Sequence, residues 1–235
     1  MSEEFGVLFS YLKRLRNRYT GLLSTWWLFD TMEILRAPNK VGDKKAEANV
    51  QVLNGYKGFF IPVREALRVH LFIEIAKFFD TSDQSVHTLK LITIAGGHTD
   101  RLSKKDFLEF HRDRKFLDEL FAEYEAIKQE DINRLRLGFD KNKELLKKLK
   151  VYRDQYLAHD DKKKHEIKIT IKEIKKMLKF IGEILDVFSL KLDFSSTTYA
   201  LMESQTKRDT HLLFHVLKEH ENKRRFRSRN RKNRR

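Results

Sequence analysis

The stretch Tyr152-Arg153-Asp154-Gln155-Tyr156-Leu157-Ala158-His159-Asp160-Asp161 holds the residue types that metal-free phosphodiester chemistry needs. Arg153, Tyr156 and His159 recur every three residues. On a helix that spacing sets them along one slanting ridge, with a rise of about 9 Å from Arg153 to His159. An arginine side chain reaches back over much of that span, so a guanidinium and an imidazole can converge on one phosphate. Histidine, with an ordinary pKa of about 6.5, moves protons at neutral pH. Arginine holds the charge that develops on phosphoryl oxygens. The pair suffices to cleave RNA through its own 2′-hydroxyl. That hydroxyl attacks the adjacent phosphate, a base takes its proton, and an acid protonates the departing 5′-oxygen.

With five residues between Arg153 and His159 and a polar residue, Asp154, after the arginine, the string resembles the R-x(4–6)-H motif of the HEPN superfamily. In particular it resembles the AbiU2-like abortive-infection branch. The likeness extends more loosely to the helical layout from about Phe59 to Phe194 and leaves out the basic C-terminal stretch. It implies an all-α, up-and-down helical bundle that forms a homodimer, with the motifs of two protomers facing one another in a composite cleft. It also implies a metal-independent endoribonuclease of a toxin–antitoxin or phage-defence system, with RNA as substrate and an antitoxin protein as a candidate partner. On this likeness His159 is the acid/base and Arg153 the phosphate and transition-state ligand. Asp154 orients one of them, and Tyr156 on the same ridge belongs to the supporting set. Other HEPN proteins keep the fold and only bind RNA or nucleotide, so a non-catalytic RNA-binding or adaptor bundle is the alternative. Some HEPN toxins carry a tyrosine soon after the histidine, which a nucleotidyltransferase modifies. Here Asp160, Asp161 and three lysines follow, which argues against that control.

Spacing alone supplies about two such pairs by chance in a chain of this composition. Arg64 with His70 and Arg208 with His215 also match. Context separates them. Arg64 and His70 sit inside an amphipathic stretch, where a polar face is the ordinary reading. Arg208 and His215 follow the core helices. Only Arg153 and His159 stand at the end of a long helix just before the last core helix, where a helix terminus and a charged loop can open a cleft. Glycine-rich phosphate loops, H-E-x-x-H and G-x-S-x-G are all missing from the sequence. His211 and His215 share a helix face without two further metal ligands beside them, and His98 with Asp100 reads as loop polarity. Neither metal nor cofactor is expected.

The elements that must hold the motif read as helices. Apolar residues recur at helical spacing from Ser2 to Arg36, and Ala37-Pro38-Asn39 stops that run. Weaker periodicity covers Lys44–Leu53, and a strong stripe runs from Phe59 to Phe79. Ser85 is placed to cap a helix over Val86–Ala95, which Gly96-Gly97 ends. Ser103 with Asp106 forms an imperfect capping box. A long helical region follows from about Arg112 to Ala158, with a break suggested near Gly138. Thr170 and Glu173 form a capping box, with Ile169 and Ile174 as its hydrophobic staple, for a helix to about Leu192. Ser195–Thr198 is a linker, and a further helix spans about Thr206 to Lys223. Adjacent Trp26 and Trp27 point about 100° apart on a helix, which suggests that one of them serves a dimer interface.

Of 235 residues, 40% are hydrophobic and 35% charged, with two prolines, nine glycines and no cysteine. That composition favours long helices and excludes disulfides, thiolate zinc sites and a cysteine nucleophile. Gly21–Phe29 is too short to cross a membrane, and no cleavage site follows it, so the sequence reads as cytoplasmic with no membrane partner. The net charge is +15, and nine basic residues with no acidic one fall within 223–235. Such a segment is expected to be a disordered polyanion-binding arm, with Arg224, Arg225, Arg227, Arg229 and Arg231 as nucleic-acid ligands. The domains expected are 1–194 (HEPN-like), 195–222 (linker and helix) and 223–235 (tail). A DNA-binding regulator is disfavoured because no compact helix-turn-helix is present.

Overall fold

The computed structural model describes residues 3–115, 119, 122–154 and 168–232, and for 225 and 227–232 the backbone only. All regular structure among the described residues is helical. The helices are α1 (Glu3–Arg36), α2 (Pro38–Val41), α3 (Asp43–Gly55), α4 (Lys57–Phe78), α5 (Thr88–Gly97), α6 (Lys104–Phe110), α7 (Gln129–Tyr152), α8 (Ile171–Asp193) and α9 (Ala200–Lys232), with a 3₁₀ turn at Thr99–Arg101. Two compact units emerge, one from Met1–Leu22 and Phe72–Thr198, the other from Leu23–Leu71 and Tyr199–Arg235. Helices α1 and α4 each contribute residues to both units.

The first unit is organised on α8. Its buried residues Ile174, Leu178, Ile181, Leu185, Phe188 and Leu192 recur every three or four positions and form one apolar stripe. Thr170 caps the helix: its hydroxyl accepts from the Glu173 amide at 3.2 Å, while the Glu173 carboxylate accepts from the Thr170 amide at 2.7 Å. Lys148 of α7 adds a 2.7 Å ion pair to Glu173. α1 approaches through Tyr19, whose hydroxyl donates to the Leu178 carbonyl at 3.0 Å, and Gly182 leaves the room. A Cβ at Gly182 would lie 2.8 Å from the Tyr19 hydroxyl. α8 ends in Phe194, held in the left-handed region at φ 46°.

Two local expectations are corrected in this unit. α7 is continuous through Gly138, and the interruption lies earlier, ahead of Gln129. Gly138 is a packing residue: a Cβ there would fall 2.4 Å from the Phe180 ring. The interruption is anchored by Asp131, whose carboxylate accepts from the Lys128 amide at 3.1 Å. At α5 the cap is His87, not Ser85: the His87 ring nitrogen accepts from the Lys90 amide at 3.1 Å. Ser85 instead donates to the Ser82 carbonyl in the preceding turn.

In the second unit, Met32 and Leu35 of α1, Phe60 of α4 and Phe214 of α9 form a buried cluster. Asn49 of α3 donates to the Leu35 carbonyl at 2.8 Å, satisfying both buried groups. Trp26 and Trp27 are both 5% exposed, so neither stands on the surface as a dimer contact. α1 is buried around much of its girth here, from Leu22 and Leu23 to Met32. α9 starts earlier and ends later than its periodicity suggests. Residues 223–232 are helical where composition predicts a disordered arm. From Ala200 on the chain has no glycine or proline, arginine and lysine are good helix formers, and Arg224 pairs with Glu221 at 3.4 Å.

Candidate nucleic-acid cleft

Arg153 stands where α7 ends. Tyr152 just before it is buried, its ring 4.6 Å from that of Phe72, which fixes the helix terminus. Arg153 keeps helical dihedrals (φ −58°, ψ −50°), and the backbone widens into a π-turn at Arg153 and Asp154. Such widening recurs at functional positions because it re-aims side chains. The Arg153 guanidinium donates from Nε to one oxygen of Asp154 at 2.7 Å, and Nη2 lies at ion-pair distance, 2.7 Å, from the same oxygen. Asp154 is thus the ion-pair partner of Arg153 at the end of α7.

Arg153 lines a cleft of about 490 Å³. One wall comes from the end of α4 and the turn after it: Ala76, Phe79, Asp80 and Thr81, with Leu89 of α5. The other is a face of α7: Phe139, Asp140, Lys143, Leu146, Lys147, Leu149 and Lys150. Lys143, Lys147 and Lys150 follow the i, i+4, i+7 rule, and Arg153 extends their line by another turn. The lining carries four cations and two carboxylates, and two of the cations are also ion-paired, Lys147 with Glu144 at 3.0 Å and Arg153 with Asp154 at 2.7 Å.

Asp80 lines the same cleft. Burial pushes its carboxyl pKa up. The Thr81 and Ser82 amides and the charge of Arg153 outweigh that and hold it below the ordinary aspartate value. Asp80 accepts from the Thr81 amide at 2.8 Å and the Ser82 amide at 3.4 Å, so it organises the turn and stays ionised. His87, the buried N-cap residue of α5, feels the charge of Asp80. Burial lowers its pKa, with Asp80 opposing, and one ring nitrogen is spent on the Lys90 amide. A neutral, capping histidine is not a proton-transfer group for the cleft.

His159 and Tyr156 lie outside the described residues, so the structure gives Arg153 and Asp154 of the motif and not its histidine. The competing pairs are occupied differently. Arg64 holds Glu33 at 2.5 and 3.2 Å, and hydrogen bonding to that carboxylate raises its pKa. Arg208 pairs with Asp209 at 3.2 Å, and His215 approaches Glu219 at 3.4 Å. Neither Arg64 nor Arg208 lines the Arg153 cleft. Among the described residues no cluster of three His, Asp or Glu could hold a metal ion, and no helix is long and apolar enough to cross a membrane. Of the C-terminal arginines, Arg224 is exposed apart from its Glu221 pair, and the backbones of Arg225, Arg227, Arg229 and Arg231 continue α9.

Lys143, Lys147, Lys150 and Asp80 are the site residues that sequence reasoning passed over. The lysines could have been found, since their spacing is helical and ends on the motif arginine. Asp80 gives no such signal, because only tertiary packing brings the turn after α4 to the end of α7.

The family model HEPN_AbiU2, described as AbiU2, matches residues 8–213. The matched span takes in Arg153 and His159 and ends before the basic C-terminal run. No curated protein and no solved structure matches the chain.

Proposed function

Because the chain belongs to the AbiU2 family of HEPN domains, the abortive-infection branch, we propose that it is a metal-independent endoribonuclease with a role in phage defence or as a toxin. The observation that carries the proposal is the position of Arg153, paired with Asp154 at the end of α7, at the head of a lysine stripe that lines a cleft. Lys143, Lys147 and Lys150 attract the RNA backbone and hold successive phosphates. Arg153 then contacts the scissile phosphate and stabilises the charge growing on its non-bridging oxygens. His159 moves the proton: it takes one from the 2′-hydroxyl or gives one to the departing 5′-oxygen. One histidine per protomer suits two roles if two motifs meet, so the active form is a homodimer with a composite cleft. An antitoxin protein is a partner that would cover it. Arg224, Arg225, Arg227, Arg229 and Arg231 add sequence-independent attraction for RNA.

The direct test is cleavage of labelled single-stranded and transfer RNA in excess EDTA by the wild type, Arg153→Ala and His159→Ala. The expected result is cutting by the wild type, with a loss of about 10²-fold or more in His159→Ala while RNA is still bound. RNA binding without any cutting by the wild type would favour the alternative, a non-catalytic RNA-binding or adaptor bundle.

A further inference from the structure

We propose that the apolar half of the Arg153 cleft is a subsite for an unpaired nucleobase. The inference rests on the reading of this cleft as an RNA site, and it assigns the RNA's single-stranded form to particular residues.

The cleft has two chemically distinct halves. The cationic half is the stripe Lys143, Lys147, Lys150 and Arg153. The apolar half is Phe79, Leu89, Phe139 and Leu146, each half-buried rather than sealed in the core. A site for phosphates alone needs only the first. Phe79 and Phe139 meet edge to face, with ring centroids 5.9 Å apart at 78°. Both are braced from behind by Phe180: Phe79 stacks on it at 5.9 Å and 8°, and Phe139 meets its edge at 5.2 Å and 72°. Phe180 itself is buried, and Gly138 gives it its place against α7. The two outer rings are therefore fixed in orientation while still facing the cleft.

Fixed, partly exposed aromatic rings beside a line of cations are what single-stranded nucleic acid uses. The backbone follows the charges, and a base stacks on an aromatic or apolar surface. A duplex cannot use this half, because its bases are already paired and stacked and it offers a protein mainly phosphates and 2′-hydroxyls. Asp80 and Asp140 sit in the same cleft and repel phosphate. They leave the lysine stripe as the path of the backbone and turn the base toward the phenylalanines.

The test uses the full chain carrying His159→Ala, so that bound RNA stays intact. The probes are a short single-stranded RNA with 2-aminopurine and a duplex of equal length. Affinity and fluorescence quenching are read for this background, for added Phe139→Leu, and for added Lys147→Glu with Lys150→Glu. Phe139→Leu keeps an apolar side chain of similar reach and guards against a folding artefact. The expected result is single-strand affinity about tenfold or more above duplex affinity, with 2-aminopurine quenched. Phe139→Leu should then lose most of that preference and of the quenching without weakening duplex binding. Equal binding of the two RNAs, or a preference that survives Phe139→Leu, would overturn the base subsite and leave the RNA site standing. If the double lysine variant binds both RNAs as the background does, the RNA reading of the cleft falls, and this inference with it.

Discussion

Asp154 pairs with Arg153, and under the proposed function it competes with the phosphate that Arg153 binds. Its carboxylate accepts from Nε at 2.7 Å and holds Nη2 as an ion pair, and a phosphate must share or displace that interaction. Asp154→Asn keeps the side chain's shape and removes its charge. It is expected to tighten RNA binding several-fold in fluorescence anisotropy and to slow cleavage, because Arg153 is less well aimed. A change of binding and rate in the same direction would contradict this double role. Legibility at this scale was partial. Arg153 and Asp154 could be read from spacing, and so could the lysine stripe, whose period runs back along the same helix. Phe79 and Asp80 could not, since they lie some seventy residues upstream and reach the site only through packing.

At the scale of elements, the cleft depends on how α7 meets α8. Gly138 permits that packing, because a methyl there would stand 2.4 Å from the Phe180 ring. Gly138→Ala should therefore destabilise the protein by about 1–3 kcal/mol through overpacking, even though alanine favours helices. A thermal melt reads this, and an unchanged or raised midpoint would show that Phe180 can move aside freely. The second tie is Glu173, whose carboxyl pKa is pulled down to about 2 by its hydrogen bond to Lys148, then by the Thr170 amide, against a smaller effect of burial. A carboxylate with a lowered folded-state pKa stabilises above its unfolded pKa and loses that contribution as pH falls towards the folded one. The wild type should therefore exceed Glu173→Gln by about 0.5–1 kcal/mol near neutral pH. The gap should close as pH drops from about 4.5 towards 2, as followed by urea melts. The Thr170 cap was fully legible, because a capping box is local and its residues are close in sequence. Gly138 was misread as a breaker for the opposite reason. Its meaning lies in a ring about forty residues away, which no local pattern contains.

At the scale of the whole molecule, charge is the main lever. Nine of the basic residues crowd into 223–235, and α9 carries the run in helical form to Lys232. The run is nine arginines and lysines with no acidic residue, a composition suited to general attraction and not to reading a sequence. Ending the chain after Asn222 should weaken binding of all RNAs alike. The slope of log affinity against log salt should fall by about 0.7 for each phosphate that the shortened chain no longer neutralises, with the single-strand preference unchanged. Disappearance of that preference would place discrimination in α9 and not in the Arg153 cleft. The helical class of the chain was legible from its composition and periodicity. The sharing of α1 and α4 between two units was not, because a continuous helix shows no seam in sequence.

The central claim is that RNA is cut by its own 2′-hydroxyl under the action of Arg153 and His159. The most direct measurement is the chemistry of the new ends after cleavage in EDTA, by mass spectrometry of the fragments. The account predicts a 2′,3′-cyclic phosphate on the upstream fragment, a 5′-hydroxyl on the downstream one, and neither product from His159→Ala. A 3′-hydroxyl paired with a 5′-phosphate, or equal cutting of the same sequence made as DNA, would contradict it.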